Sequence, residues 1–186
     1  RDMAKISKAA LENETFRYVA CKPNYYIAPT NKDKHGKELW NHHKMVKRTM
    51  FNYDGVEGGK TGYTTKAGGT LVTFAKRGDQ ELIVVDLCAH GYELYEDTIK
   101  MLNYGFNNYK TIAPFKTMNT VLKDDTYGFL KTGNELSPYK IPLKHLNDVT
   151  VMLEKNQSAS KLTYKCKDNK YIISYDGKQI GSVKLH

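Results

Sequence analysis

A chain of 186 residues, 40 % hydrophobic and 26 % charged, is long enough for one or two domains and has the composition of a globular protein rather than a disordered one. Its formal net charge of +9 divides into +4 over residues 1–111 and +5 over the remainder. That even field favours anionic surroundings without choosing among nucleic acid, phospholipid and an acidic wall polymer. No apolar run approaches the ~20 residues that span a bilayer. Arg1-Asp2-Met3-Ala4 opens directly into an amphipathic pattern with no signal-like stretch, as expected of a chain that begins partway through a longer one. Cys21, Cys88 and Cys166 are far apart and odd in number, which points to neither a zinc site nor a disulfide framework.

In chain order, Asp2 to Asn13 reads as a helix, with Met3, Ile6, Ala10 and Leu11 on or beside one face. Phe16, Tyr18 and Val19 continue as a short turn, Tyr25-Tyr26-Ile27 is extended, and Thr30 to Gly36 reads as a surface loop. Glu38 to Met50 places Leu39, His43, Val46 and Met50 at helical spacing. Adjacent His42-His43 lack a ligand at the i, i+4 offset of metal-binding helices, so no metal is expected there. Asn52-Tyr53-Asp54-Gly55 is a turn. Gly69 to Lys76 and Glu81 to Cys88 read as a hairpin joined through Arg77-Gly78-Asp79-Gln80. Leu82-Ile83-Val84-Val85 is continuously apolar, as in a strand covered on both faces, and Cys88 reads as a small core residue. Tyr92 to Tyr109 is the strongest helix, with Leu94, Tyr95, Ile99, Leu102 and Phe106 on its buried stripe.

The character changes at Thr111-Ile112-Ala113-Pro114. Short β-like runs follow at Thr120–Leu122, Val149–Leu153, Lys161–Lys165, Tyr171–Tyr175 and Ile180–Leu185, separated by polar turns. The expected fold is therefore α/β over residues 1–110, an antiparallel sheet with helices, followed by a small all-β, sandwich-like domain over 111–186.

Chemistry concentrates in Val56-Glu57-Gly58-Gly59-Lys60-Thr61-Gly62-Tyr63-Thr64-Thr65. Glycines on both sides of a cation and a hydroxyl let another backbone come close, and adjacent Lys60 and Thr61 on a strand point to opposite faces. An extended peptide carrying a carboxylate fits such an edge. The same tripeptide recurs at Lys131-Thr132-Gly133, where the following Asn134-Glu135 makes it read as a turn. Ser158-Ala159-Ser160-Lys161 matches a Ser-x-x-Lys nucleophile in letters only, since it lies in the β domain. A basic chain with fourteen tyrosines also leaves open a non-catalytic binder of wall polymer or nucleic acid.

With Gly58-Gly59-Lys60-Thr61-Gly62-Tyr63-Thr64 in place, the sequence resembles the serine-type D-alanyl-D-alanine carboxypeptidases, the low-molecular-mass penicillin-binding proteins. Asp2-Met3-Ala4, Phe16, Thr30-Asn31, Asn41, Gly55, Ala67-Gly68-Gly69 and Tyr104-Gly105-Phe106 resemble that family in the same order, from Arg1 to about Lys110. The resemblance implies a serine nucleophile that forms an acyl-enzyme from D-Ala-D-Ala peptides and from β-lactams. It implies that Lys60 polarises a second-motif serine, that Thr61 binds the terminal carboxylate, and that the Tyr63 N–H is an oxyanion donor. Gly62 and Thr64 complete the substrate-binding set. No metal or organic cofactor is implied. The implied partners are peptidoglycan stem peptide, β-lactams, the N-terminal half of the same enzyme and a membrane surface, with no nucleic acid, in an extracytoplasmic, wall- or membrane-associated location. The Ser-x-x-Lys and Ser-x-Asn motifs are missing from residues 1–110, so this chain is expected to be a C-terminal portion, inactive alone.

Overall fold

The computed structural model describes residues 1–47, 50–116, 120–122, 127–132, 135–136, 141–142, 149–168 and 170–184. They form two units, residues 1–107 and 108–186. The first begins with α1 (Asp2–Leu11) and α2 (Glu14–Ala20). Asn13 does not merely end α1. Its Oδ1 accepts from the Phe16 N–H at 2.9 Å and caps α2, so the expected turn at Phe16 is a helix of its own.

Strands β1 (Asn24–Ile27) and β2 (Lys37–Trp40) follow as an antiparallel hairpin. The expected helix over Glu38–Met50 is therefore absent. Leu39 pairs with Tyr25 and Glu38 with Tyr26, and the chain then turns from Lys44 to Lys47. Helical spacing of Leu39, His43, Val46 and Met50 loses here to cross-strand pairing. Gly36, immediately before β2, has φ +69°, and a Cβ there would lie 2.4 Å from the Tyr26 hydroxyl.

The sheet at the centre of the unit is β3–β4–β5: β3 (Val56–Thr64), β4 (Gly68–Arg77) and β5 (Gln80–Ala89), all antiparallel. Arg77 pairs with Gln80, so the β4–β5 link is the two residues Gly78-Asp79. The strand covered on both faces is β4, where Leu71, Val72, Thr73, Phe74 and Ala75 are all buried. On β5 only Val84 is fully buried, while Leu87 is exposed, and among the described residues β5 pairs with β4 alone. Cys88 is likewise not a core residue. It is exposed at φ +66°, in the bulge that lets Thr70 pair with Leu87 while Gly69 pairs with Ala89.

Helix α3 (Glu93–Asn108) packs against this sheet through Leu94, Tyr95, Thr98, Leu102 and Phe106. Close approach requires Gly105, where a Cβ would stand 2.6 Å from Leu82 Cδ1. Phe51 stacks on Tyr95 at 4.7 Å between ring centroids and closes the end of this core.

The second unit is built from short antiparallel strands. β6 (Tyr109–Ile112) pairs with β11 (Val151–Glu154). β7 (Thr120–Leu122), β8 (Tyr127–Thr132), β9 (Glu135–Leu136) and β10 (Ile141–Pro142) form a second sheet. β12 (Leu162–Lys167), β13 (Lys170–Tyr175) and β14 (Lys178–Lys184) form the third. Phe115, Val151, Leu153, Leu162, Tyr171 and Ile173 make its core, which joins the first and third sheets face to face. β6 and β8 were not visible as strands in the sequence. Of the second Lys-Thr-Gly, Lys131 and Thr132 are strand residues pairing with Leu136 and Glu135, whereas Gly133 and Asn134 lie outside the described residues.

Candidate active site

The glycine-rich stretch is β3, and it pairs only with β4 among the described residues. Its root is buried and its far half is open: Gly58 and Gly59 are buried, Thr61 is half-buried, and Lys60, Gly62, Tyr63 and Thr64 are exposed. The root glycines are occupied from within the chain. A Cβ on Gly58 would lie 2.6 Å from Cys21 Sγ, at the end of α2. One on Gly59 would meet Val72 O at 2.2 Å and the His43 ring at 2.6 Å.

His43 is fully buried, and its Nε2 is 2.9 Å from Thr73 Oγ1, on the residue paired with Gly59. The imidazole thus ties β4 to the residue that precedes Lys60. Burial drives its pKa down to about 4, against a smaller raising effect of a backbone hydrogen bond with Val72, so the ring is neutral at pH 7. Asn41 places it. The Asn41 Nδ2 donates to Ala20 O (3.3 Å) and Lys22 O (3.0 Å), and its Oδ1 accepts from His43 N–H (2.9 Å). Arg17 on α2 clamps the same end, donating to Glu57 at 2.6 Å and to Glu81 at 2.8 Å. Nearby, burial and the Glu57 carboxylate push the Cys21 thiol upward, with Arg17 opposing.

Past this root, β3 keeps one edge unpaired among the described residues. On an edge strand alternate N–H and C=O groups point away from the partner and can bind an extended peptide. The Lys60 ammonium donates to the Thr61 carbonyl, and no carboxylate among the described residues pairs with it. Tyr63 is 77 % exposed. Thr64 Oγ1 accepts from the Ala67 N–H at 3.0 Å, so it shapes the β3–β4 turn. Gly62 faces Thr70, whose Oγ1 would lie 2.5 Å from an added Cβ.

The structure brings Lys60 through Thr64 onto one exposed strand, and it adds His43, Asn41 and Arg17, which the sequence did not mark as supports. Asn41 stood in the sequence only as one of the family-like residues. His43 was hidden by its place in an expected helix. No group of three or more metal-ligating side chains occurs among the described residues. Among the described residues, neither nucleophile-like serine has a lysine as its hydrogen-bond partner. Ser7 is buried on α1 beside Lys8, and Ser158 Oγ accepts from the Ser160 N–H and lies 2.8 Å from Ser160 Oγ, capping a single 3-10 turn.

The fold resembles that of low-molecular-mass penicillin-binding proteins: penicillin-binding protein 5 from Haemophilus influenzae superposes with a TM-score of 0.61 at 22 % identity, over 99 % of this chain and 54 % of that one. A mutant of the Streptomyces K15 DD-transpeptidase gives 0.51 at 30 % identity, over 57 % and 42 %. The family model of D-alanyl-D-alanine carboxypeptidases matches residues 1–91. The D-alanyl-D-alanine carboxypeptidase DacF of Bacillus subtilis is 28 % identical over 99 % of the chain and 45 % of its own length. DacC of Escherichia coli is 32 % identical over 62 % and 27 %. The chain thus spans less than half the length of these relatives.

Proposed function

We propose that this chain supplies one wall of a serine D,D-carboxypeptidase cleft, which removes the terminal D-alanine of peptidoglycan stem peptides and is acylated by β-lactams. The observation that carries the reading is the free, exposed half of β3, with Lys60 to Thr64 held beyond a root packed against His43 and Cys21. In the reaction, a serine oxygen attacks the carbonyl carbon of the D-Ala-D-Ala bond. The tetrahedral oxyanion is held by backbone N–H groups, D-alanine leaves, and water later hydrolyses the ester. Lys60 lends positive potential and orients the proton-shuttling serine, Thr61 takes the terminal carboxylate, and the Tyr63 N–H faces the oxyanion. Residues 1–110 carry no Ser-x-x-Lys motif, and in this reading the chain acts together with a segment that provides the serine and its lysine base. The even basic charge supports a location at the anionic wall or membrane surface, outside the cytoplasm.

The test is acylation of the intact enzyme by a fluorescent penicillin. Lys60→Ala should lower the second-order rate by roughly 100-fold, the scale of removing one preorganised charge-stabilising group. Lys131→Ala should leave it within twofold. Equal rates for the parent and the Lys60 variant would overturn the assignment.

A further inference from the structure

The first unit carries a second concave surface that the proposed cleavage does not use. It lies between α2 and the β1–β2 hairpin and encloses about 490 Å3, within the range of small-ligand sites. Tyr18, Val19, Lys22, Tyr25, Leu39 and Trp40 line it. These rings are in the open: Tyr18 is 64 % exposed, Tyr25 57 % and Trp40 52 %. α2 buries no residue, and every residue of both hairpin strands is exposed. A two-stranded hairpin is marginal by itself. Here it is pinned at its base, where the Asn41 side chain bonds the end of α2 and the Asn41 N–H donates to Pro23 O at 2.9 Å. The aromatic faces are therefore presented on a fixed frame.

Among the residues that line the groove, Lys22 is the charged one. Lys22 Nζ stands 4.3 Å from the Tyr18 ring centroid and 5.8 Å from that of Tyr25, and Lys47 Nζ lies 5.8 Å from Trp40. The hairpin carboxylate Glu38 accepts from Asn24 Nδ2 at 3.1 Å. The side-chain amides at the rim, Asn24 and Asn41, already have partners, so a ligand that needs many buried protein hydrogen bonds would find few.

We infer that this groove binds an acidic oligosaccharide, its pyranose rings stacked on Tyr18, Tyr25 and Trp40 and its sugar carboxylate against Lys22. The C–H face of a pyranose is weakly positive and meets the negative face of an aromatic ring, while its hydroxyls remain in water. The carboxylate replaces the ring faces as the partner of an ammonium that already lies in the groove. An apolar peptide helix would leave both lysines without a counter-charge. The choice of sugar rests on the wall-polymer reading above. A peptide-free stretch of that polymer's glycan, whose muramic acids keep their lactyl carboxylates free, would be held here.

The test titrates the intact protein with the peptide-free tetrasaccharide of alternating N-acetylglucosamine and N-acetylmuramic acid, following tryptophan emission. Trp40 is the chain's one tryptophan, and Trp40→Phe isolates its signal. A saturable change is expected in the parent and not in Trp40→Phe, with affinity about tenfold lower for chitotetraose, which lacks carboxylates. Tyr18→Ala should weaken both sugars about tenfold. Lys22→Gln, which keeps an uncharged stem, should bind both sugars at the parent's chitotetraose affinity. Lys60→Ala should bind the sugar like the parent while losing penicillin acylation, which separates failure of this site from failure of the carboxypeptidase reading. No saturable change, equal affinity for the two sugars in the parent, or the same Trp40 response from phosphatidylglycerol vesicles would overturn the inference.

Discussion

The two halves of β3 share a composition and differ in what their glycines are for. At Gly58 and Gly59 the missing side chain is space taken by Cys21 and His43 of the same chain, whereas Gly62 lies on the open half opposite Thr70. The Gly-Gly-Lys-Thr-Gly stretch is thus a fastened root followed by a presented tip. A reactive strand needs both, because a side chain can be held to within a fraction of an ångström only if its supports are locked.

Exchanging glycines between these roles gives the largest expected effect. Gly59→Ala drives a methyl into Val72 O and the His43 ring, and should cost about 3 kcal/mol or more in denaturant unfolding. Gly62→Ala should cost about 1 kcal/mol, because a Thr70 rotamer change relieves the contact. Equal losses would erase the distinction between root and tip.

The next effect is in pH. His43 titrates near 4 in the folded protein and near 6.5 when unfolded. Between those values the unfolded chain binds the extra proton, so stability falls as pH drops from about 6.5 to 4 and changes no further below it. The full loss is on the order of 3 kcal/mol. Urea unfolding of the parent and His43→Gln from pH 7.5 to 4 should diverge in slope only within that window. Parallel profiles would show that the imidazole is not held neutral beneath the strand.

The smallest effect belongs to the outer clamp. Arg17, about a third exposed, bridges Glu57 and Glu81. Arg17→Ala should cost about 1 kcal/mol, with much of the difference gone in 1 M salt. A loss that ignores salt would assign the residue to packing instead.

These comparisons also mark what the sequence could and could not tell. The β3–β5 sheet and α3 were readable because turn residues, alternation and a 3.6-residue stripe agree there. The exposed strand from Lys60 to Thr64 was readable from the same pattern. The hairpin residues Lys37–Trp40 were not, because Leu39, His43, Val46 and Met50 fall at helical intervals by coincidence, and a pairing partner 10 to 16 residues away leaves no local trace. Cys88 looked like core because its bulge, which reverses the inward and outward alternation, has no sequence signature at a cysteine. The supports His43 and Asn41 act through backbone positions far away in sequence, so spacing alone could not join them to Lys60.

The open edge of β3 also bears on how copies of this protein meet one another in a crowd. An unpaired strand edge is a ready template for a second identical edge, and glycines make it flat enough to be matched. Lys60 stands in the middle of that edge, and the irregular register at Val56–Gly58 bends its root. Two such edges brought side by side would press ammonium against ammonium. The cation that makes the strand attractive to a carboxylate therefore makes it inhospitable to its own twin, and the edge stays available to an anionic guest.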